Sequence, residues 1–336
     1  MVSGTSVAVH GHHHHHLAPK ADGPKEQGDR EEELTIESAI RRINRVKSSH
    51  VTDSSDMKLA ELLQRLHTAE WDMMGDLDDL VLDTLDLDGL DLTRVPAAVR
   101  ELEYYAFRRV QAVSVNSNAR LRDAARLGEL EDLEAVNAWG ADLTGIPRSW
   151  CRLRRLTFLG LGANRRLRGF SVLSDLAARL QSLDLGACGL ARLPDEVYEL
   201  TRLKSLALGH NPGIELDAGR LAKGLRRLAL NACELSRVPD GVYELSGLRR
   251  LHLDDNDLDA LGQDVLKLRD LRELTLTGNP RLVALPKLLT RMERVALIAV
   301  DGDTFDIGAA SHSLRHKIAS RPRRRAKVDP SLFGDD

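Results

Sequence analysis

One spacing of apolar residues recurs along the whole middle of this chain. From Leu180 the sequence reads Leu180-x-x-Leu183-x-Leu185-x-x-Cys188-x-Leu190-x-x-Leu193-Pro194-x-x-Val197-x-x-Leu200. The same order restarts at Leu203, Leu225, Leu248 and Leu271, and upstream at Leu82, Val110, Leu133 and Leu156. A degenerate copy covers Met292 to Val300. Most restarts lie 22 to 24 residues apart; the step from Leu82 to Val110 is 28. A unit this short cannot bury its own apolar face. Its neighbours must cover it, so the chain has to fold as a stack of like units.

The spacing also dictates what each unit does. Positions four and six are apolar and flank a variable residue, a period of two that makes this piece a short strand. Equivalent strands then pair in parallel and line one side of a curved solenoid of about nine to ten copies. After the strand the chain turns inward at position nine. That position is Asn118, Asn164, Asn211, Asn256 and Asn279 in some copies. A buried amide there can satisfy backbone groups in two neighbouring turns. In the other copies the position is Leu90, Ala141, Cys188 or Cys233.

These two kinds of copy alternate. Copies with Leu, Ala or Cys at position nine carry a proline six residues on, at Pro96, Pro147, Pro194 and Pro239. Most Asn copies read Asn-x-x-Leu or Asn-x-x-Ile, as in Asn164-Arg-Arg-Leu167 and Asn211-Pro-Gly-Ile214. The module is therefore a pair of copies of about 46 residues. The alternation breaks at Asn256-Asp-Leu258, which has the short spacing together with Asn. Proline fixes φ on the convex side and removes a donor that this arc would leave unpaired.

A solenoid needs its ends covered. Thr35 to Ser48 places Ile36, Ile40, Ile43 and Val46 on one helical face, and Asp56 to Met74 does so with Leu59, Leu62, Leu63, Leu66 and Met73. Both stretches predict helices. The organisation expected is a disordered region over 1–30, a helical cap over 31–76, the solenoid over 77–305, and a C-terminal cap with a basic disordered tail over 306–336. Phe305 and Ala309 to Ala319 are the candidates for closing that end.

Composition narrows the function. With 42% hydrophobic residues the chain can build a large core, yet it has only 5 Phe, 4 Tyr and 3 Trp. The apolar share is mostly leucine, as a repeated unit requires. A formal charge of -3 gives no overall field for nucleic acid. No window is apolar enough to span a membrane, and the N-terminus lacks the apolar stretch of a secretory signal. Cys151, Cys188 and Cys233 make neither a disulfide framework nor a zinc spacing. Position nine puts Cys188 and Cys233 inside, where thiols are inert. Half of the carboxylates in the acidic run Asp76 to Asp91 alternate with core leucines and so face solvent. His12 to His16 would bind nickel without implying a catalytic metal. No cofactor, metal or catalytic site is expected.

Binding is the better use of such a scaffold. Positions three, five, seven and eight of each strand point out of the concave sheet. Position seven reads Asp88, Asn116, Trp139, Gly162, Gly186, Gly209, Asn231, Asp254 and Thr277. The middle of the face is thus expected to be bare, with Trp139 at one border and charge at the other. Trp139 either anchors a partner or lies flat on Gly162 of the next strand. The candidate contact residues are Asn137, Trp139, Phe158, Asp184, His210, Arg227, Asn231, Arg250, His252, Asp254 and Asp255. The expected partner is a protein, bound by a monomer, with no small-molecule substrate. In the tail, Arg321, Arg323, Arg324, Arg325 and Lys327 form a run that reads as a nuclear-import signal, a patch for anionic surfaces or an inert solvated segment.

The copies resemble the leucine-rich repeat of the 23-residue, Leu-Pro type, as in Leu190-Ala-Arg-Leu193-Pro194-Asp-Glu-Val197. That type occurs in plant intracellular immune receptors and in type III secreted effectors of plant-pathogenic proteobacteria. The resemblance covers about 80 to 300. It implies an α/β horseshoe with a parallel concave β-sheet, and it implies a protein-binding module, expected to be a bacterial effector acting inside a host cell. A scaffold or inhibitor within the producing cell, or an adaptor in host ubiquitination, is the alternative. Too few residues follow the last copy for the ubiquitin-ligase domain that several such effectors carry.

Overall fold

The computed structural model describes residues 9–10, 54–73, 77–286, 289, 291–301 and 318–321. Each copy of the repeat contributes one short strand. They follow one another as β3 (Leu80–Asp86), β4 (Ala112–Ser114), β5 (Ala135–Asn137), β6 (Phe158–Gly160), β7 (Ser182–Asp184), β8 (Ser205–Ala207), β9 (Arg227–Ala229), β10 (Arg250–His252), β11 (Glu273–Thr275) and β12 (Leu297–Asp301). All are parallel and pair in chain order. The position-four residues form one row through the sheet: Leu85, Val113, Val136, Leu159, Leu183, Leu206, Leu228, Leu251, Leu274 and Ile298. This row and the position-six row are buried in one continuous core.

The other wall of that core is the convex side. Short 3-10 turns stand there, such as Arg148–Arg152 and Asp195–Glu199. Each follows its proline directly, with φ of −56° at both Pro147 and Pro194. The long step after Leu82 is explained by an α-helix, Val99–Ala106, which replaces a 3-10 turn and buries Val99, Leu102 and Ala106.

The inward turn works as its residue types require. The Asn211 side chain lies wholly inside. Its Oδ1 accepts the N–H groups of Cys188 and Leu190 at 3.1 and 3.0 Å, and its Nδ2 donates to the carbonyls of Leu185 and Leu208 at 2.9 and 2.8 Å. Asn118, Asn164 and Asn256 repeat the pattern. The cysteine copies fill the same place with a thiol. Cys188 Sγ donates to Leu161 O at 3.2 Å and Cys233 Sγ to Leu208 O at 3.4 Å. Burial pushes these thiols up to about 12 and about 11.

The N-terminal cap differs from the expected pair of helices. Among the described residues of the stretch 56–74, the α-helix is limited to Leu59–Gln64; Leu66–Trp71 is a strand, β2, antiparallel to β3. The physical reason is the open edge of β3, whose unpaired N–H and C=O groups are satisfied by a strand and not by a helix. Leu59, Leu62, Leu63 and Leu66 still cover the end of the core, as expected of a cap. Outside β2, Val9–His10 forms β1, with Val9 opposite Trp71 and His10 opposite Glu70. At the other end Ile318–Arg321, β13, continues the sheet in parallel to β12. Arg321 therefore ends a strand where a disordered tail was expected. The predicted helix over 35–48, Phe305, and Arg323, Arg324, Arg325 and Lys327 lie outside the described residues.

Candidate functional site

Outward-pointing strand residues make the concave face, and they differ sharply between its two halves. In the first half, a second apolar cluster lies on the sheet, apart from the main core. It contains Ala69, Trp71, Met73, Leu82, Ala112, Ala135 and Phe158. Trp71 and Phe158 lean towards each other over the small Ala112 and Ala135. Their rings meet edge to face, with centroids 6.1 Å apart, a favoured aromatic geometry. The Trp71 indole N–H donates to Thr84 Oγ1 at 2.8 Å. Phe158, a candidate contact residue by sequence, is thereby closed off from solvent. Trp71 was missed by the sequence reading because it was assigned to a helix.

The middle of the face is not bare. A Cβ placed on Gly162 would stand 1.6 Å from Trp139 Nε1. Trp139 therefore lies flat on Gly162, the second of its two anticipated roles, and is only 6% exposed. Asn137 covers Gly160 in the same way, and Asn231 covers Gly209, where Cβ atoms would meet their Oδ1 at 2.5 and 2.3 Å. Each glycine is the bed of a larger side chain from an adjoining strand. Gly186 is the most open of the set: Asp184 Oδ1 at 3.2 Å and Gly209 O at 3.3 Å are the nearest atoms to its Cβ position. Asn137, Asp184, Arg227 and Asn231 are buried. Neither amide atom of Asn137 nor the Trp139 indole nitrogen finds a hydrogen-bond partner among the described residues.

The far half is polar and half open. Arg250, His252, Asp254 and Asp255 are all partly exposed. Arg250 pairs with Glu273 across β10 and β11 at 3.6 Å. Asp254 accepts the Thr275 and Thr277 hydroxyls at 2.6 and 2.7 Å, and the Thr277 N–H at 2.9 Å. His252 Nδ1 sits 2.9 Å from Thr275 Oγ1. Burial, helped by the charges of Arg227 and Arg250, lowers its pKa to about 3, so the ring is neutral. His210 is also shifted down by burial. Burial raises Asp255, and the neighbouring carboxylates Asp254 and Asp301 add to the shift. In the acidic run, Asp78, Asp79 and Asp91 are exposed while Asp86 and Asp88 are half buried. Burial, and then Asp86, push Asp88 up to about 6.

No group of three metal-ligating side chains occurs among the described residues, and none of their helices is long and apolar enough to cross a membrane. The repeat, the parallel concave sheet and the Asn/Cys turn define a leucine-rich-repeat fold. The family model "Leucine rich repeat" matches residues 223–280. No curated protein gives a significant sequence match. Among solved structures the chain is similar to a leucine-rich-repeat protein of Leptospira interrogans, at 26% identity and a TM-score of 0.53. The likeness covers 65% of this chain and 54% of that one, so the chain spans about half of that relative's length. It is also similar to the leucine-rich repeat domain of the type III effector XopL, at 20% identity and a TM-score of 0.52, over 83% of this chain and 99% of that domain. A TLR13–ssRNA13 complex shares the fold at 22% identity and a TM-score of 0.52, over 65% of this chain and 31% of that one. A leucine-rich-repeat fold of this kind is typical of protein-binding modules.

Proposed function

We propose that this chain is a non-enzymatic protein-binding module that grips a host protein on its concave face after delivery by a type III system. One observation supports the binding surface: the outward residues on and after β10 and β11 present partly exposed acidic, basic and hydroxyl side chains side by side. Arg250, His252, Asp254 and Asp255 give this half directional contacts. Arg is among the side chains that most often dominate interfaces. Delivery into a host draws support from the likeness to the XopL repeat domain, which shares the fold. It draws further support from the polar N-terminal sequence.

The test is capture from host lysate with the native chain, Arg250→Ala and Gly186→Arg, after each is shown to fold. The Gly186 side chain would project into the trough and leave the core row untouched. Both variants are expected to lose the same partner. Truncation of an interface-centre Arg commonly costs about 2 kcal/mol or more, roughly a thirtyfold drop in affinity. Retention of every partner by both variants moves the site off the concave face. Export is tested separately, by fusing residues 1–50 to a reporter and comparing strains with and without a functional secretion system.

A further inference from the structure

The convex side carries the same residue twice, in two different settings. Tyr198 follows the buried Val197 in the 3-10 turn Asp195–Glu199, and Tyr243 follows the buried Val242 in the turn Val242–Glu244. Tyr198 is covered by the next copy. The Arg220 guanidinium lies over its ring, 4.2 Å from the centroid, and its hydroxyl accepts the Asp217 N–H at 2.8 Å. A cation over an aromatic face is attracted by the negative π surface of the ring. Tyr243 lacks both contacts. Among the described residues no cation lies over its ring. Its buried hydroxyl has no hydrogen-bond partner of normal geometry there, although the Gly262 N–H is near enough to offset part of the upward pKa shift that burial causes.

The copies themselves explain the difference. Arg220 stands two residues after the buried Ala218, and Lys267 two residues after the buried Val265, so the two cations occupy equivalent places. The arcs that lead to them differ in length: Ala218 is seven residues beyond Asn211, and Val265 is nine beyond Asn256. On the longer arc Lys267 pairs with Asp264 at 3.8 Å and leaves the tyrosine uncovered. Gly262 stands where the other short-spaced copies place proline. A Cβ on it would touch Tyr243 Cε2 at 3.8 Å, so glycine leaves that edge of the ring open. What remains is a cleft of about 520 Å³ between the two turns, with Pro239, Asp240, Tyr243, Glu244, Asp264 and Lys267 in its walls. Ligand clefts measure roughly 300 to 1,000 Å³. Three carboxylates line this one against a single lysine. Asp240 and Asp264 meet Arg237 and Lys267 only at 3.8 Å, and the exposed Glu244 makes no ion pair among the described residues.

We propose that this cleft receives an arginine side chain from a partner protein, its guanidinium stacked on Tyr243 as Arg220 stacks on Tyr198 and its N–H groups turned to Glu244 and Asp264. The neighbouring copy indicates which chemistry suits such a tyrosine. A planar guanidinium matches a flat ring and a carboxylate rim at once, which a compact ammonium does not. The cleft lies on the convex side, so it can be filled while a second protein holds the concave sheet.

The test uses the full chain with carbon-13-labelled tyrosine, whose signals come from Tyr104, Tyr105, Tyr198 and Tyr243 alone; Tyr243→Phe assigns the last. The probes are the blocked peptide acetyl-Gly-Arg-Gly-amide, its lysine counterpart and its citrulline counterpart, which keeps the shape without the charge. The arginine peptide should shift the Tyr243 signals saturably and leave those of Tyr198 in place. The lysine peptide should bind about fivefold more weakly, and the citrulline peptide should leave Tyr243 unmoved. Glu244→Gln, a change at an exposed side chain, should weaken the arginine peptide about threefold. An unmoved Tyr243 overturns the proposal. So does equal movement of Tyr198 and Tyr243, which marks non-specific association. Equal binding of the lysine or citrulline peptide, or an unchanged affinity in Glu244→Gln, overturns it as well. None of these outcomes touches the concave reading, whose variants Arg250→Ala and Gly186→Arg lie on the opposite side of the solenoid.

Discussion

The buried turn makes a quantitative statement about which position-nine residues matter. Asn211 and Cys188 occupy equivalent places in adjoining copies, and both are fully buried. Their removal is nonetheless expected to differ several-fold in cost. Asn211→Ala strands the N–H groups of Cys188 and Leu190 and the carbonyl of Leu185, which lose their amide partners. The Leu208 carbonyl keeps a partner in the Cys233 thiol. Three orphaned buried groups at roughly 1 to 3 kcal/mol each give a loss of about 3 to 9 kcal/mol. Cys188→Ala removes one weak donor from Leu161 O. That oxygen still accepts from Asn164 Nδ2 at 2.7 Å, so nothing is stranded. Only the volume of a sulfur is lost, at about 1 kcal/mol. Urea unfolding followed by circular dichroism, with linear extrapolation, measures both. Asn211→Ala should approach the limit of foldability for a domain whose whole stability is about 5 to 15 kcal/mol. Cys188→Ala should stay close to wild type. Losses of equal size would refute the claim that the amide, and not burial as such, holds the turn.

Three other outcomes follow from the same geometry. A chain beginning at Leu77 lacks the apolar cover of Leu59, Leu62, Leu63 and Leu66, each worth roughly 1.5 to 3 kcal/mol; it should be insoluble or melt several degrees lower, and an unchanged melting curve would remove their capping role. At neutral pH, Cys151 should label readily while Cys188 and Cys233 label only after denaturant, because burial holds their thiols at about 12 and 11; fast native labelling of either would place it outside the core. His252 stays neutral in the folded chain down to about 3, whereas the unfolded ring takes a proton near 6.5. Its contribution is present above that pH and lost as pH falls towards 3, so His252→Gln should narrow the gap in urea midpoint between pH 7 and pH 4; an unaltered gap would mean that another group drives the acid sensitivity.

The solenoid was legible because its spacing is redundant. An apolar residue at position four is confirmed by those at positions one and six, and again by the next copy. The inward turn was legible for the same reason, down to the alternation of Asn with Cys. Leu66 to Met73 was not. Leu59, Leu62, Leu63 and Leu66 fit a helical stripe, and Met73 extends it, while Ala69, Trp71 and Met73 also alternate as a strand. A single chain of side chains cannot separate the two periods there; the unpaired edge of β3 does. The trough was misjudged through its glycines. Read alone, Gly160, Gly162 and Gly209 look like empty floor. Read across neighbouring copies, each stands next to Asn137, Trp139 or Asn231, and a column that sets a bulky residue beside glycine signals stacking.

The alternation of turns also sets the grain at which this protein can change length. An Asn turn needs a preceding short-spaced copy whose two N–H groups converge on its oxygen, as those of Cys188 and Leu190 do on Asn211. A thiol offers no such acceptor. Deleting one Asn copy would set two short-spaced turns against each other and leave converging donors without an oxygen. Deleting two restores every match. Gene-level gain or loss of repeats in this lineage should therefore survive in even steps, and the hybrid Asn256 copy, which combines the short spacing with an amide, is the one joint where an odd step can be absorbed.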